Sequence, residues 1–300
     1  CGGSMAGLYP AWYLLSREAK NLRVEYHTSN EFVHAVPAAC GAQSVVICCS
    51  LMDTPETVEA CRTAVEKGAY AIALAGSEHS KMIGLTPYSI CYRNFDARKR
   101  DTSAVQTKHA LALRIAFEFL HQLEGYAAYD DAMKAYEMLD SILLDALRYS
   151  DRRAPIFAEK AAKESIIYVM GSGANNGTMY ASSICNLLEC MWTDSVAVNT
   201  GEYFHGPFEV TDYDVPFMLV KSIGHTRHLD ERVENFAKKF TEDLLVLDQK
   251  DLDLSTVADE AKPYVAAILT GVVIRHFVEA IAFERGHSLD VRRYMWQMQY

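Results

Sequence analysis

The chain alternates short, continuously apolar runs with longer amphipathic segments. Apolar runs of this kind, without polar alternation, are typical of strands covered on both faces, as in a parallel sheet. Seven runs are predicted as strands: 44–49, 70–75, 87–92, 165–170, 195–199, 215–220 and 243–247. Residues 22–27 alternate instead and predict one further strand.

Helical segments lie between these runs, and the helix at 54–67 has the clearest start signal. Thr54 can cap it, Pro55 suits the first helical position and Gly68 stops it. The other predicted helices are 5–20, a short one from residue 29, 105–123, 130–148, 155–163, 178–192, 226–239 and 261–282.

Strands that alternate with helices predict an α/β fold with mostly parallel sheets and helices on both faces. Each half is expected to open with a glycine loop, so we predict two similar lobes, 1–128 and 129–300. A strand normally precedes a loop such as Cys1-Gly2-Gly3-Ser4. We therefore expect that the numbered chain lacks a natural N-terminal segment.

Composition narrows the function classes. The chain has 300 residues, with 29 Lys+Arg against 39 Asp+Glu and no basic run, which disfavours a nucleic-acid partner. None of the eight cysteines forms a CxxC pair and most lie in apolar runs, so we predict free thiols in a reducing compartment. We find no signal peptide and no apolar run of membrane-spanning length, which predicts a cytoplasmic protein without a membrane partner.

The most distinctive segment is 200–209, which contains two carboxylates, three aromatic residues and a histidine. We predict a loop that presents Glu202 and His205 to a ligand. Glu189, sixteen residues before His205, lies late in a predicted helix. It is either a partly desolvated general acid or base, or a helix-end carboxylate in water. Glu189 and His205 are expected to meet at the carboxyl edge of the sheet.

Glycine-containing loops and helix starts provide the candidate anion sites. Loops 1–4 and 50–54 can surround one phosphate with hydroxyls and helix N-termini, although each alone is also explained as a turn or a cap. Loop 171–177 is close to the dinucleotide fingerprint, but Asn176 replaces its third glycine and Glu189, at the spacing of the ribose-binding acid, lies in a helix. A nicotinamide cofactor is therefore disfavoured, while a ligand role and a purely structural turn stay open for this loop.

With these residues in place, the chain resembles the sugar isomerase (SIS) superfamily, and most of all its fructosamine-6-phosphate deglycase branch. The resemblance covers nearly the whole chain. The motifs that carry it are Cys1-Gly-Gly-Ser4, Thr54-Pro-Glu-Thr57, Gly125-Tyr-Ala-Ala-Tyr-Asp-Asp131, Gly201-Glu-Tyr-Phe-His-Gly-Pro-Phe-Glu209 and Arg292-Arg-Tyr-Met-Trp296…Tyr300. The most similar branch members are the deglycases for phosphorylated fructose–aspartate, fructose–lysine and glucose–lysine adducts.

The resemblance implies two SIS lobes of a flavodoxin-like, three-layer α/β/α design. It also implies a homodimer with active sites near the subunit interface, and neither a metal nor an organic cofactor. The catalytic glutamate falls on Glu189 and the catalytic histidine on His205, in a loop that the partner subunit can donate. The implied sugar-phosphate contacts are Gly3, Ser4, Ser50, Thr54, Gln106 and Lys108.

One departure from the family pattern concerns the phosphate loop. That loop often reads S-x-S-G-x-T in the family, whereas residues 49–54 read C-S-L-M-D-T. Two hydroxyls and the glycine are missing, and Asp53 is added. Other loops are then required to supply part of the donors.

The predicted activity is cleavage of a 6-phosphorylated sugar–amine adduct to hexose 6-phosphate and a free amino acid. His205 opens the ring, Glu189 moves a proton between C1 and C2, and Glu202 orients the loop or holds a substrate group. Two alternatives stay open: an aldose–ketose phosphosugar isomerase, and a non-catalytic sugar-phosphate sensor. The sequence fixes neither the released amine nor the choice between glucose 6-phosphate and fructose 6-phosphate.

Overall fold

The computed structural model describes residues 1–96 and 99–298, and the chain forms two compact units. The first unit consists of Cys1–Asp96 and Asp101–Tyr126, and the second consists of residues 99–100 and the described chain from Ala127 onward. The last residue of the tail motif, Tyr300, lies outside the described residues.

Strands and helices alternate through both units. The strands are β1 (Val45–Ser50), β2 (Tyr70–Ala75), β3 (Tyr88–Cys91), β4 (Ile166–Gly171), β5 (Asp194–Asn199), β6 (Phe217–Lys221) and β7 (Leu244–Asp248). The α-helices are α1 (Gly2–Glu18), α2 (Ser29–His34), α3 (Pro55–Glu66), α4 (Lys108–Glu124), α5 (Tyr129–Ala161), α6 (Asn176–Ala181), α7 (Arg227–Ala237) and α8 (Lys262–Glu284). A π-helical segment, Ser182–Cys190, continues directly from α6.

The first unit is built on a three-stranded parallel sheet in the order β1-β2-β3. Successive residues of a strand point to opposite faces, so Cys48 and Cys49 of β1 face different layers. Cys48 lies against Cys61 of α3, while Cys49 lies beside Ser4 of α1. Helices therefore cover both faces of this sheet, in the three layers that were expected.

The second unit contains a four-stranded parallel sheet in the order β5-β4-β6-β7. The chain begins this sheet at β4, adds β5 on one side and then returns to add β6 on the other. A reversal of this kind leaves a crevice at the carboxyl ends of the strands, where open α/β sheets bind ligands. Helix α7 packs on the sheet through Val233, which joins a core with Met170, Phe217 and Leu219. The predicted α/β class is confirmed in both units.

The segment at 22–27 is not the strand that its alternation predicted. The segment does not pair in a sheet, and its Tyr26 side chain packs on α1 instead. The Tyr26 ring lies edge-on to that of Tyr9, with centroids 5.5 Å apart. The Tyr26 hydroxyl donates to the Met5 carbonyl at 2.6 Å. Packing against a helix can therefore produce the same period-two pattern as a half-buried strand.

The helices predicted at 130–148 and 155–163 are one continuous helix, α5, which passes through Pro155. A proline inside a helix removes one backbone hydrogen bond and crowds the preceding turn. Helix α5 packs along α8, where the rings of Phe157 and Phe277 meet edge-on at 6.3 Å. We infer that this packing maintains the helix across the proline.

One predicted loop and one predicted helix have different bounds in the structure. Helix α1 begins at Gly2, so Gly3 and Ser4 lie in a first helical turn and not in a loop. The helix predicted at 178–192 begins at Asn176 and becomes π-helical from Ser182. Both changes matter for the candidate site, because they alter the positions of the candidate residues Gly3, Ser4 and Glu189.

Helix α8 is long and apolar enough to span a bilayer, which corrects the expectation that the chain has no apolar run of that length. However, 67% of its most apolar window is buried inside the protein. A helix that is apolar all round and largely enclosed is typical of the core of a large domain. We therefore describe α8 as the core helix of the second unit.

Candidate active site

The carboxyl end of β1 and the start of α3 form a candidate anion site in the first unit. Ser50, the last residue of β1, is buried, and its hydroxyl accepts the Thr54 amide at 3.2 Å. Thr54 is the N-cap residue of α3, and its hydroxyl pairs with that of Thr57 at 2.9 Å. The turn therefore gathers hydroxyls at a helix N-terminus, where the helix dipole favours an anion.

Asp53, the residue added relative to the family pattern, is engaged by its own neighbours. Its carboxylate accepts the Ser80 hydroxyl and the Lys81 amide, the latter at 2.7 Å. Its φ of 53° is left-handed, a conformation that aspartate tolerates better than most residues. At Gly76, an added Cβ would lie 2.7 Å from the Leu51 carbonyl oxygen, so glycine allows the turn to approach. Asp53 thus ties the turn to the segment after β2.

The N-termini of α1 and α4 contribute a second set of polar groups. The Ser4 hydroxyl lies beside the Cys49 thiol and the Tyr92 hydroxyl. Lys108, the first residue of α4, holds its ammonium group 5.6 Å from the centre of the Tyr92 ring. Burial raises the pKa of the Tyr92 hydroxyl, so that group stays protonated. One cationic and two neutral hydroxyl-bearing side chains therefore share this region.

Gly3 and Gln106 flank these groups. Gly3 lies beside Ser4 in the first turn of α1 and offers only its backbone. Gln106 ends a short 3-10 turn before α4; its carbonyl accepts the Arg93 amide at 2.9 Å and its side chain is exposed. All six expected phosphate contacts thus lie in the first unit, near the starts of α1, α3 and α4.

Glu189 lies in the second unit, near the end of the π-helical segment. π-helical turns occur frequently at functional sites. The helix predicted at 178–192 does not keep α-helical periodicity to its end, because the segment ends at Cys190 and Trp192 has a left-handed φ of 56°. The wide turn and the abrupt end give Glu189 a direction that α-helical periodicity does not predict.

The Glu189 carboxylate is held by Arg292 from the C-terminal tail. Nε and Nη2 of Arg292 both lie 3.0 Å from Oε1 of Glu189, and 27% of the Glu189 side chain stays exposed. Its other oxygen, Oε2, makes no hydrogen bond or ion pair with the part of the chain that the structure describes. One carboxylate oxygen is fixed, and the other is available for proton transfer.

The segment 200–209 folds into two short 3-10 turns around Tyr203, which is wholly buried. Glu202 and His205 are exposed, and neither side chain is hydrogen-bonded or ion-paired within the described ranges. No contact joins His205 to Glu189 among those residues. Their joint role in catalysis therefore stays a prediction.

Comparison with known proteins decides the family. No protein-family model matches the chain. The chain is 38% identical to fructosamine deglycase FrlB of Bacillus subtilis, over 100% of this chain and 90% of that protein. This chain belongs to the fructosamine deglycase branch of the sugar isomerase superfamily. It is accordingly an enzyme of the phosphosugar deglycase and isomerase group.

Two further comparisons agree with this membership. Fructoselysine 6-phosphate deglycase of Escherichia coli (strain K12) is 24% identical over 98% of this chain and 83% of that protein. A crystal structure from Bacillus subtilis, assigned to the phosphosugar isomerases, matches with a TM-score of 0.96 at 38% identity, covering 100% of this chain and 90% of that one. The expected sugar isomerase fold is thereby confirmed.

In the present chain, a carboxylate of the protein itself lies beside glycine loop 171–177. Asp230 of α7 is wholly buried. It accepts the Thr200 hydroxyl at 2.6 Å and the Ser222 amide at 2.8 Å. Ser172, in the glycine loop, lies against the same carboxylate. Burial raises the pKa of Asp230, although these hydrogen bonds oppose the shift. The contacts favour the structural alternative for the loop.

The state of the cysteines agrees with the prediction, whereas one residue of the candidate site, Arg292, was not predicted. All eight cysteines are free thiols, as predicted. No cluster of three or more potential metal ligands occurs in residues 1–96 and 99–298. Arg292 was not predicted as a site residue, although the tail motif that contains it gave a signal. A pattern of residues shows that a tail is distinctive, but not which carboxylate its arginine reaches.

Proposed function

We propose that the enzyme cleaves a 6-phosphorylated fructosamine, a 1-amino-1-deoxyketose carrying an amino acid, into glucose 6-phosphate and the free amino acid. The observation that carries the proposal is the Glu189 carboxylate, with one oxygen fixed by Arg292 and one unengaged among the described residues. The names of the relatives, fructosamine deglycase and fructoselysine 6-phosphate deglycase, support this substrate class.

The proposed phosphate contacts combine helix N-termini, hydroxyls and one cation. Backbone N–H groups at the start of a helix and nearby hydroxyls are the groups that bind phosphate in α/β proteins. Lys108 supplies a positive charge beside them, which a net charge of −10 on the whole chain does not exclude. The contacts that we assign to the phosphate are Gly3, Ser4, Ser50, Thr54, Gln106 and Lys108.

The proposed reaction needs two proton-transfer groups. His205 moves the proton that opens the sugar ring and frees the C2 carbonyl. Glu189 then removes a proton from C1 while the substrate's own ammonium group gives a proton to the C2 oxygen, which forms a 1,2-enaminol. Return of the proton from Glu189 to C2 gives a protonated Schiff base at C1. Water adds to C1, the C1–N bond breaks, and the amine leaves as an ammonium ion.

One carboxylate can serve both carbons because C1 and C2 are adjacent and the proton moves on one face. The free oxygen of Glu189 provides the proton-carrying atom, while Glu202 is left to orient the loop or bind a substrate group. General acid–base catalysis of this kind contributes about 10²–10⁴-fold in rate for each group.

The decisive experiment replaces Glu189 with glutamine and follows glucose 6-phosphate through a coupled dehydrogenase assay. We expect Glu189→Gln to lower kcat by at least about 10²-fold, because the amide cannot carry the proton. The matched control is Glu209→Gln, which removes an exposed carboxylate in segment 200–209. Circular dichroism and the thermal midpoint should be unchanged in both. Retention of most activity by Glu189→Gln would show that the assignment is wrong.

A substrate panel separates the proposal from its alternatives. An isomerase would interconvert glucose 6-phosphate and fructose 6-phosphate without any amine, whereas a sensor would bind adducts without turnover. Synthetic 6-phosphorylated fructosamines of lysine, aspartate and other amines identify the released group. Fructose 6-phosphate as the product would indicate an aminoaldose substrate instead.

We also propose a cytoplasmic homodimer, as the family resemblance implies. The eight free thiols support a reducing compartment. Light scattering during size exclusion should give about twice the chain mass of 33.6 kDa. A monomer that is fully active at assay dilution would contradict a site completed by a partner's histidine loop.

A further inference from the structure

We infer that Arg292 is a positioning residue for the reaction: it holds the Glu189 carboxylate in the orientation that proton transfer requires. The inference rests on the proposed role of Glu189 and extends the active site to the C-terminal tail. Its basis is a set of contacts in which every nitrogen of the Arg292 side chain has an assigned partner.

The Arg292 guanidinium is enclosed, with 11% of the side chain exposed. Nη1 donates to the Leu289 carbonyl at 2.7 Å and to the Val291 carbonyl at 3.0 Å. Nη2 also approaches the Cys190 sulfur at 3.0 Å. Since a guanidinium is planar and its donors have a fixed geometry, these partners leave the group one orientation in which to hold Glu189.

The tail is fixed to the same end of the π-helical segment at further points. The Arg293 guanidinium lies 4.2 Å from the centre of the Trp192 ring. Trp192 meets the His287 ring edge-on at 4.7 Å, and His287 Nε2 lies 3.0 Å from the Cys190 carbonyl oxygen. The chain on both sides of Arg292 is therefore tied to the residues that follow Glu189.

A neighbouring arginine is committed elsewhere. Arg275 of α8 binds the Asn186 side-chain oxygen at 2.9 Å and Oε1 of Glu279 at 3.2 Å. Among the described residues, the cation within ion-pair distance of Glu189 is Arg292. A role in orienting this carboxylate thus falls on the tail and not on the core helix.

A flexible glutamate that lacked this contact would spend most of its time away from the reactive position. Misplacement of a catalytic group by about 1 Å can cost on the order of 10²-fold in rate. The contact involves one carboxylate oxygen, and each nitrogen of Arg292 already has a partner within the protein. Its loss should therefore lower kcat and leave KM nearly unchanged.

The first test replaces Arg292 with methionine, which keeps most of the aliphatic stem and removes the donors. We expect kcat to fall by about 30–100-fold, with KM within about threefold of the wild type. Arg292→Lys, with a charge but no planar fork, should recover part of the loss. Arg293→Met removes an equal charge from the adjacent position and should cost less than about fivefold, because Arg293 contacts Trp192 and not Glu189.

The second test is a double-mutant cycle with Glu189→Asp, which keeps a carboxylate but withdraws it by one methylene group. If Arg292 acts through Glu189, then Arg292→Met should cost less than about threefold in the Glu189→Asp background. Full multiplication of the two losses would mean that Arg292 acts on another group, and the inference would be overturned. Where Arg292→Met fails to fold, the same cycle with Arg292→Lys decides the question.

The outcomes distinguish the proposed catalytic role of Glu189 from the proposed positioning role of Arg292. An active Glu189→Gln variant would remove the proposed catalytic assignment itself. An inactive Glu189→Gln variant together with wild-type kcat in Arg292→Met would leave the proposed function standing and overturn only the positioning role. Loss of kcat in both, with the expected coupling, supports both.

Discussion

The carboxyl ends of the two parallel sheets can be compared group by group. In the first unit, the Ser50 and Thr54 hydroxyls make contacts within their own turn, and no carboxylate among the described residues pairs with them. In the second unit, Asp230 is buried and takes the Thr200 hydroxyl and the Ser222 amide. Both ends therefore gather donors, but among the described residues an internal carboxylate binds the strand-end donors Thr200 and Ser222 in the second unit, whereas Asp53 in the first binds Ser80 and Lys81 instead of Ser50 and Thr54.

The difference shows how one architecture serves two purposes. Parallel strands that end beside helix N-termini collect unpaired N–H and hydroxyl groups, and these groups need an acceptor. A carboxylate from α7 provides it in the second unit, which leaves that site structural. In the first unit the acceptor is, by our proposal, the phosphate of the substrate. Repetition of the fold thus does not imply repetition of the binding site.

The largest effect should follow from removing the internal anion. Asp230→Ala leaves the Thr200 hydroxyl and the Ser222 amide without their buried acceptor, and we expect a loss of about 3 kcal/mol in the free energy of unfolding. The KM of the folded enzyme should change less than about twofold. Urea unfolding and steady-state kinetics on the same preparation give both quantities.

The matched variant in the first unit is Lys108→Met, which should show the opposite pattern. Loss of a charged hydrogen bond to phosphate is worth about 1.5–3 kcal/mol, so we expect KM to rise about 10–100-fold. The free energy of unfolding should stay within about 1 kcal/mol of the wild type, because Lys108 is partly exposed. If Asp230→Ala altered KM and Lys108→Met altered stability, the contrast between the two units would be refuted.

The positions of the strands in the two sheets could be predicted from the sequence, and the reason is physical. Six-residue apolar runs such as β2 were found with their bounds correct, because a strand buried on both faces has few alternatives. The break assigned between the helices 130–148 and 155–163 and the strand assigned to 22–27 were wrong. In both cases packing against a helix decided the conformation, and such packing is not visible in local periodicity.

An effect of intermediate size is expected in the pH dependence of the free energy of unfolding, and its sign should differ between the two units. Burial, with a contribution from Lys108, lowers the pKa of His109 in the first unit to about 3. His109 is then neutral in the fold but protonated in the unfolded chain below about pH 6.5, so its contribution to stability falls as the pH drops from about 6.5 towards 3. At pH 5 we expect a loss of about 1–2 kcal/mol relative to pH 8, since His109 as a whole residue is half-buried.

Asp230 should act with the opposite sign. Because burial raises its pKa, its contribution to stability is present at low pH and is lost as the pH rises through the folded-state value. The His109→Gln variant should flatten the acid loss, whereas Asp230→Asn should steepen it. The measurement is the free energy of unfolding from pH 8 to 5 for the wild type and both variants. An unchanged slope in His109→Gln would mean that another group causes the acid sensitivity.

Less of the candidate site than of the fold could be predicted from the sequence. Residue types and spacing offered Glu189 and His205 as candidates, because proton transfer needs such side chains, and the family resemblance made them the proposed catalytic pair. The partner of Glu189 was not predicted, since Arg292 follows it by 103 positions and reaches it only through the folded tail. The role of Asp230 was missed for the same reason, because its donors come from three separate strand ends.

The smallest effect should come from Asp53, the acidic residue that stands next to Thr54 in the proposed phosphate site. Its carboxylate is bound by Ser80 and the Lys81 amide, so its main role is to anchor the turn. An asparagine tolerates the left-handed φ of 53° and can keep both hydrogen bonds, because the Ser80 hydroxyl can accept as well as donate. Removing the charge relieves a repulsion of at most on the order of 1 kcal/mol in a water-like dielectric.

We therefore expect Asp53→Asn to change KM by no more than about threefold, whereas Asp53→Ala, which releases the turn, should raise KM further. Steady-state kinetics with the phosphorylated adduct measure both, and inorganic phosphate as a competing inhibitor isolates the anion site. A KM that fell more than about tenfold in Asp53→Asn would place this carboxylate directly against the phosphate. The first unit would then carry an internal anion at its strand end, as the second does with Asp230, and the contrast between the two sheets would disappear.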